Sequence, residues 1–260
     1  MNPVNGTFTP LPGAAPLPGM VLTQARMESR LLLRNGEQLL IAVVIPVLVL
    51  VGLVGAADSL GLDYEHPVVD VVTPGVLALA VLSTSFTSLA IATGFERRYG
   101  VLKRLGTSPL PRGGLLAGKI LALLLVELLQ VVVIGGVGLP LGWSPSPGAS
   151  GVGGAVLAIT LGTAAFASIG LLVAGTLRAE ATLALANLVY LLLLAGGAVV
   201  LPATAYGGFG DVAAWLPSGA LGEAMREAFL DGTVAWRDLA VLLAYAVVGS
   251  TLAARSFRWE

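Results

Sequence analysis

Apolar residues in this chain recur in runs of about twenty, the length at which a helix crosses the hydrocarbon core of a bilayer. The runs are Leu39 to Ala57, Val71 to Thr93, Ile120 to Leu141, Val152 to Leu177, Thr182 to Leu201 and Leu239 to about Phe257. The last is short and carries Arg255 near one end; it serves as a span if the guanidinium snorkels to the headgroups while its stem covers apolar surface. The pattern predicts an all-α integral membrane protein with six transmembrane helices, a single domain over residues 38–260 with both termini on one side.

Ahead of the first run the periodicity changes. Thr23, Arg26, Arg30, Arg34 and Glu37 fall within about 80° of one another at about 100° per residue, while Met20, Val21, Met27 and Leu31 to Leu33 spread over the rest. This predicts an interfacial amphipathic helix over residues 20–37, with Asn35-Gly36 breaking it before the first span. The pattern fits a generic interfacial anchor or a helix that also touches a cytoplasmic partner; Glu28, which projects from the apolar side where a carboxylate facing lipid is costly, argues for the second. Residues 1–19 are uncharged, rich in Pro and Gly, and lack the basic and apolar regions of a signal peptide, which reads as a flexible cytoplasmic tail.

The distribution of charge gives an orientation. Lys and Arg number twelve on the side of the termini and two, Arg226 and Arg237, on the other side, where Asp58, Asp63, Glu65, Asp211, Glu223, Glu227 and Asp231 collect. The positive-inside rule then makes both termini cytoplasmic. Composition agrees with a membrane protein: the chain is 56% hydrophobic and 11% charged, with a mean hydropathy of +0.91, where a soluble domain is about 45–50% apolar and about 25% charged. A formal net charge of −1 offers no basic field for nucleic acid. The absence of Cys and the single His66 exclude thiol chemistry, disulfides and any site needing two imidazoles. Neither long loop, Gly94 to Lys119 or Pro202 to Asp238, could bury a core of its own, so no soluble domain is expected.

The loop between the second and third runs carries the most information. Glu96, Arg97 and Arg98 open a short charged helix, Val101, Leu102 and Leu105 give it an apolar edge, and Pro109 and Pro111 stop it. Farther on, Gly113-Gly114-Leu115-Leu116-Ala117-Gly118-Lys119 imitates a phosphate-binding loop, but Ile120 stands where a Ser or Thr must reach magnesium, no strand precedes it, and a span follows. Gly114 and Gly118 instead suit close helix packing at the start of the third span.

The order Glu96-Arg97-Arg98-x-Gly100-x-Leu102-x-x-Leu105-x-x-Ser108-Pro109-Leu110-Pro111, followed by Leu115-Leu116-x-Gly118-Lys119, resembles the cytoplasmic loop of ABC-2 type permeases, the membrane subunits of ABC exporters for drugs, polysaccharides and lipids. The layout resembles that family along the whole chain, including an outer loop with Ala214-Trp215-Leu216-Pro217 and then Glu223-Ala224-Met225-Arg226. The resemblance implies that this outer segment is re-entrant before span six, and Pro202, Gly207, Gly208 and Gly210 permit such turns. It implies that Glu96, Arg97, Arg98, Gly100, Val101, Leu102, Lys103, Arg104 and Leu105 form a coupling helix against a cytoplasmic ABC ATPase. It further implies two such ATPases, which bind the ATP and Mg, and a second permease, identical or a sibling. The chain itself is then no enzyme and binds no cofactor.

Within the spans, Glu127 stands among Leu123 to Val133 with Gln130 one turn along, which fits packing glue between helices, substrate contact or proton coupling. Thr73, Ala80, Thr84, Thr87 and Ser88 form a small polar stripe suited to tight contact or to a path wall. The family layout tilts this toward a translocation path, faced by Asn187 and Tyr190 from the fifth span. Pro46 and Pro74 mark kinks. An intramembrane protease fits poorly, because His66 lies in a loop and Asp70 is the one candidate aspartate, near a span end. A self-sufficient carrier or channel using Glu127 is the alternative to the exporter, although the internal repeat or charged midplane of such proteins is absent. The bias toward Ala, Gly, Val, Leu and Arg over Lys and Ile points to a high-GC bacterium, and with it to the inner membrane and an antibiotic or lipid-like cargo.

Overall fold

The structure is a computed structural model that describes residues 15–105, 107 and 109–256. Residues 1–14 of the tail expected over 1–19, the Gly106 and Ser108 positions of the loop motif, and the chain beyond Ser256 with Arg258 lie outside the described residues, as do the side chains at 37–41 and 112; the last three tail residues, Leu17 to Gly19, are instead helical, with Pro16 and Pro18 at the helix start.

The described chain is helical, with no strand among the described residues. In order come α1 (Leu17–Arg34), α2 (Gly36–Gly55), α3 (Val68–Arg98), α4 (Val101–Leu105), α5 (Arg112–Gly138), α6 (Gly148–Thr176), α7 (Ala179–Gly196), α8 (Pro217–Arg226) and α9 (Trp236–Ser256). Five helices, α3, α5, α6, α7 and α9, are long and apolar enough to cross a membrane, and α2 is apolar over its described stretch Ala42–Gly55.

Helix α3 is the central pillar. Nearly all of it is buried, from Val69 through Ala90. In lipid the hydrophobic effect does not drive helix against helix, so close approach through small residues carries the packing. Accordingly Gly170 of α6 lies against the backbone of Phe86, and Gly249 of α9 against the Ser168 hydroxyl of α6. The buried hydroxyls of α3 bond back along the helix, Thr73 to the Val69 carbonyl at 2.6 Å and Ser85 to the Val81 carbonyl at 2.5 Å, so they cost little in an apolar setting. Around this pillar the outer helices turn rows of apolar side chains outward, such as Leu128 and Val132 on α5 and Leu191 and Leu192 on α7.

Four departures from the sequence expectation have local causes. The charged residues Glu96 to Arg98 are the last turn of α3 and not the start of a separate helix, because Gly100, at φ +69, turns the chain before α4 begins. Helix α5 starts at Arg112, after the extended Pro111, so most of the expected loop is helical. Helix α3 opens into π geometry over Ser83–Ser88, where longer-range bonds widen the turn and shift the register of the polar stripe. Helix α7 ends at Gly196, five residues before the expected end of that span at Leu201, and Ala198 sits at φ +51.

Candidate functional site

Two polar centres lie at opposite ends of the bundle and a third lies between them. At the basic end, Lys119 of α5 is buried and donates to Glu96 of α3 at 2.8 Å and pairs with Glu28 of α1 at 2.9 Å. Gln24, one turn before Glu28, donates to the same Glu28 carboxylate at 2.8 Å. The Gly114 and Gly118 pair makes this approach possible: a Cβ on Gly118 would stand 2.7 Å from Cγ of Gln24, and one on Gly114 would meet Val21 and Leu110. The partner of Glu28 is therefore Lys119 of the same chain, which accounts for a carboxylate on that side of α1.

The next two residues tie α3 to the α6–α7 connection and to α7 itself. Arg97 donates to the Leu177 carbonyl at 2.5 Å, and Arg98 forms an ion pair with Glu180. Helix α4 hangs from this platform by Leu102, which is buried, while Val101, Lys103 and Arg104 face outward beside the exposed Tyr99. Of the nine residues expected on a coupling surface, Glu96 and Arg97 are thus engaged inside the chain, Arg98 bridges to α7, and α4 presents the outward cations. Sequence reasoning missed Lys119, Glu28 and Glu180 as members of this centre, although Lys119 at the mouth of a span was the available signal.

In the middle, Glu127 of α5 is buried beside Thr163 of α6. Thr163 Oγ1 lies 2.7 Å from both Glu127 Oε2 and the Ile159 carbonyl. A hydroxyl carries one hydrogen, so a neutral carboxyl completes both bonds and an ionised one leaves a contact unmade. Gln130 donates to the Ala42 carbonyl of α2 and to Thr84 of α3, both at 2.8 Å, and so joins three helices. Thr73, Thr84, Thr87, Ser88 and Tyr190 are all buried within the bundle, whereas Asn187 is exposed on the outer surface of α7.

At the other end, the chain after α7 passes between Gly75 of α3 and Gly222 of α8, where no Cβ would fit against the carbonyls of Val199 and Val200 or of Ala198 and Val199. Arg226, almost wholly buried, donates to the Ala198, Val199 and Val200 carbonyls at 3.2 Å and to Glu223 at 3.0 Å. Carbonyls left over at a helix end need a donor when buried, and the guanidinium supplies several at once. Nearby, burial raises the Glu227 carboxyl, reinforced by Asp238, Glu223 and Asp231. Asp70 accepts the Ser144 backbone N–H at 2.9 Å, a structural use of that carboxylate.

Among the described residues no cluster of His, Cys, Asp or Glu could hold a metal ion. No curated protein matches the chain. Residues 67–255, from the start of α3 to the end of α9, match the family described as ABC-2 family transporter protein. With more than half its length covered by that match, the chain belongs to the ABC-2 transporter family.

Proposed function

We propose that this chain is the transmembrane permease subunit of an ATP-driven exporter, with six crossings, both termini cytoplasmic, and a separate ABC ATPase that binds ATP and Mg. The observation that carries this reading is α4: a short, outward-facing cationic helix, pinned by Leu102 and joined through Gly100 to the most deeply buried helix of the bundle. A push on a rigid element fixed this way moves α3, and through Lys119, Glu28 and Glu180 it also moves α1, α5 and α7. The contact with the ATPase is assigned to Val101, Lys103 and Arg104, while Glu96, Arg97 and Arg98 transmit the motion. Two permeases and two ATPases make up the complex, in a bacterial inner membrane, and the cargo is hydrophobic or amphipathic, of drug, antibiotic or lipid type. The buried Thr and Ser of α3 line a path only when the bundle opens, and Asn187 then faces the second permease. On this reading no catalytic site belongs to the chain and it binds no cofactor.

The test is purification through a tag on this subunit alone after expression with its neighbouring genes, followed by assay of vanadate-sensitive ATP hydrolysis. A P-loop ATPase in equal amount is the expected result. Lys103→Glu with Arg104→Glu is expected to abolish that co-purification by like-charge or misplaced-charge contact, with the chain still inserted and monodisperse. A stable wild-type chain free of any ATPase sinks the reading. It would favour a self-sufficient carrier, for which Glu127 Oε1, buried without a partner among the described residues, is the specific candidate.

A further inference from the structure

A cleft of about 340 Å³ opens at the basic end between α3 and α7, lined by Gly94, Arg97, Arg98, Arg178, Ala179 and Glu180. Three guanidiniums against one carboxylate leave it net positive. Arg97 Nη2 holds the Leu177 carbonyl, but its Nη1 is buried with no partner among the described residues. Arg98 is paired with Glu180, yet the two side chains are 49% and 62% exposed, and a pair so wet is readily exchanged for a stronger anion. Arg178 is exposed and stands at the start of the 18-residue α7, whose first turn no side chain caps. Gly94, which lines the cleft, packs on Thr182, whose fully buried hydroxyl also lacks a partner among the described residues.

We infer that this cleft binds the phosphate of an anionic phospholipid, held as a resident lipid and distinct from any cargo. The surroundings favour a lipid over a soluble anion. Beyond the cleft, α7 continues with Leu183, Leu188, Leu191 and Leu192 exposed, a surface along which acyl chains lie in a bilayer. Beside it, the stacked rings of Phe95 and Tyr99, with the Arg98 guanidinium 5.8 Å from the Tyr99 ring centre, form the aromatic and cationic border found at headgroup depth. A phosphate seated there accepts from Arg97 Nη1, Arg98 and Arg178 and links the last turn of α3 to the first turn of α7. The site uses neither ATP nor an ATPase, so it stands or falls separately from the permease reading.

Native mass spectrometry of the purified full-length chain, titrated with dioleoyl phosphatidylglycerol and in parallel with dioleoyl phosphatidylcholine, tests this. The expected result is preferential retention of phosphatidylglycerol, reduced about five-fold for each arginine removed in Arg98→Gln and Arg178→Gln, with phosphatidylcholine adducts unchanged and Arg178→Lys close to wild type. Arg178→Gln alone, at an exposed position, keeps the test valid if the double variant fails to fold. Equal retention of the two lipids by the wild type, or an unaltered preference in the variants, overturns the inference. Millimolar inorganic phosphate should leave phosphatidylglycerol bound; complete displacement would assign the cleft to a free anion and overturn the lipid. Loss of a co-purifying ATPase from the variants with lipid preference intact would assign the cleft to an acidic protein surface, with the same consequence.

Discussion

Lys119 is the residue whose removal the structure penalises most clearly. The buried carboxylate of Glu28 and the partly buried one of Glu96 share this one ammonium, and taking one partner from a buried ion pair costs about 3–5 kcal/mol because the other is left charged and unpaired. Lys119→Met is expected to lower the thermal midpoint of the purified chain by the equivalent of that cost, and adding Glu28→Gln and Glu96→Gln should restore much of it. A triple variant no more stable than the single one would show that the cluster is not a charge-balanced unit. The sequence points to Glu96 and Arg97 as charged loop residues, and charge in a loop is ordinarily solvated; the folding of α1 onto Gly118 brings Lys119 and Glu28 to Glu96, while the Leu177 carbonyl at the start of the α6–α7 connection holds Arg97. For Glu127, the hydrogen count around Thr163 favours a neutral carboxyl used for packing. Glu127→Gln is therefore expected to leave assembly and vanadate-sensitive ATP hydrolysis within about two-fold of wild type, since one neutral hydrogen bond is exchanged for another. Full loss of turnover in an assembled complex would move Glu127 to a proton or substrate role.

At the scale of elements, hydropathy made the long helices legible because each must satisfy its own backbone in lipid. Five of the expected spans overlap helices long and apolar enough to cross a membrane, α3, α5, α6, α7 and α9, and the first overlaps the shorter apolar stretch Ala42–Gly55 of α2. What hydropathy could not reveal were the points where a helix changes character without changing polarity. Ala198 to Leu201 are as apolar as the helix before them, and they leave the helix where Gly75 and Gly222 leave room for the chain and Arg226 donates to the carbonyls of Ala198, Val199 and Val200. The π turn at Ser83–Ser88 is likewise invisible to a 100° wheel. Helix α8 and the π turn after it, Glu227–Asp231, add a titrating element. Burial raises the Glu227 carboxyl from its ordinary 4.5, with Asp238, Glu223 and Asp231 adding to the shift and a Thr233 hydrogen bond opposing it. A raised carboxyl favours the fold below the unfolded value, and that advantage is lost as pH rises through the folded one. The thermal midpoint should fall as pH increases through the window just above 4.5, and Glu227→Gln should flatten that slope. An identical slope in the variant would place the titration elsewhere.

For the whole molecule, the break after Gly196 sets a length. Eighteen helical residues in α7 rise about 27 Å, a few ångströms short of a hydrocarbon core of about 30 Å. The remaining reach falls to the non-helical segment from Ala198 to Leu201, largely buried against α3 and α8, where the Ala198, Val199 and Val200 carbonyls are tolerable at membrane depth only while Arg226 satisfies them. Bilayer thickness therefore acts directly on the junction of α7 with α8. In vesicles of longer-chain lipid the mismatch stretches that junction, at a fraction of a kcal/mol per ångström, and the thermal midpoint should decline with each added pair of methylenes. The decline should steepen in Arg226→Lys, whose single ammonium cannot span three carbonyls. Equal midpoints across chain lengths would mean that tilt absorbs the mismatch. If they differ, the protein is matched to a thin membrane, and its host's fatty-acid composition becomes part of its stability.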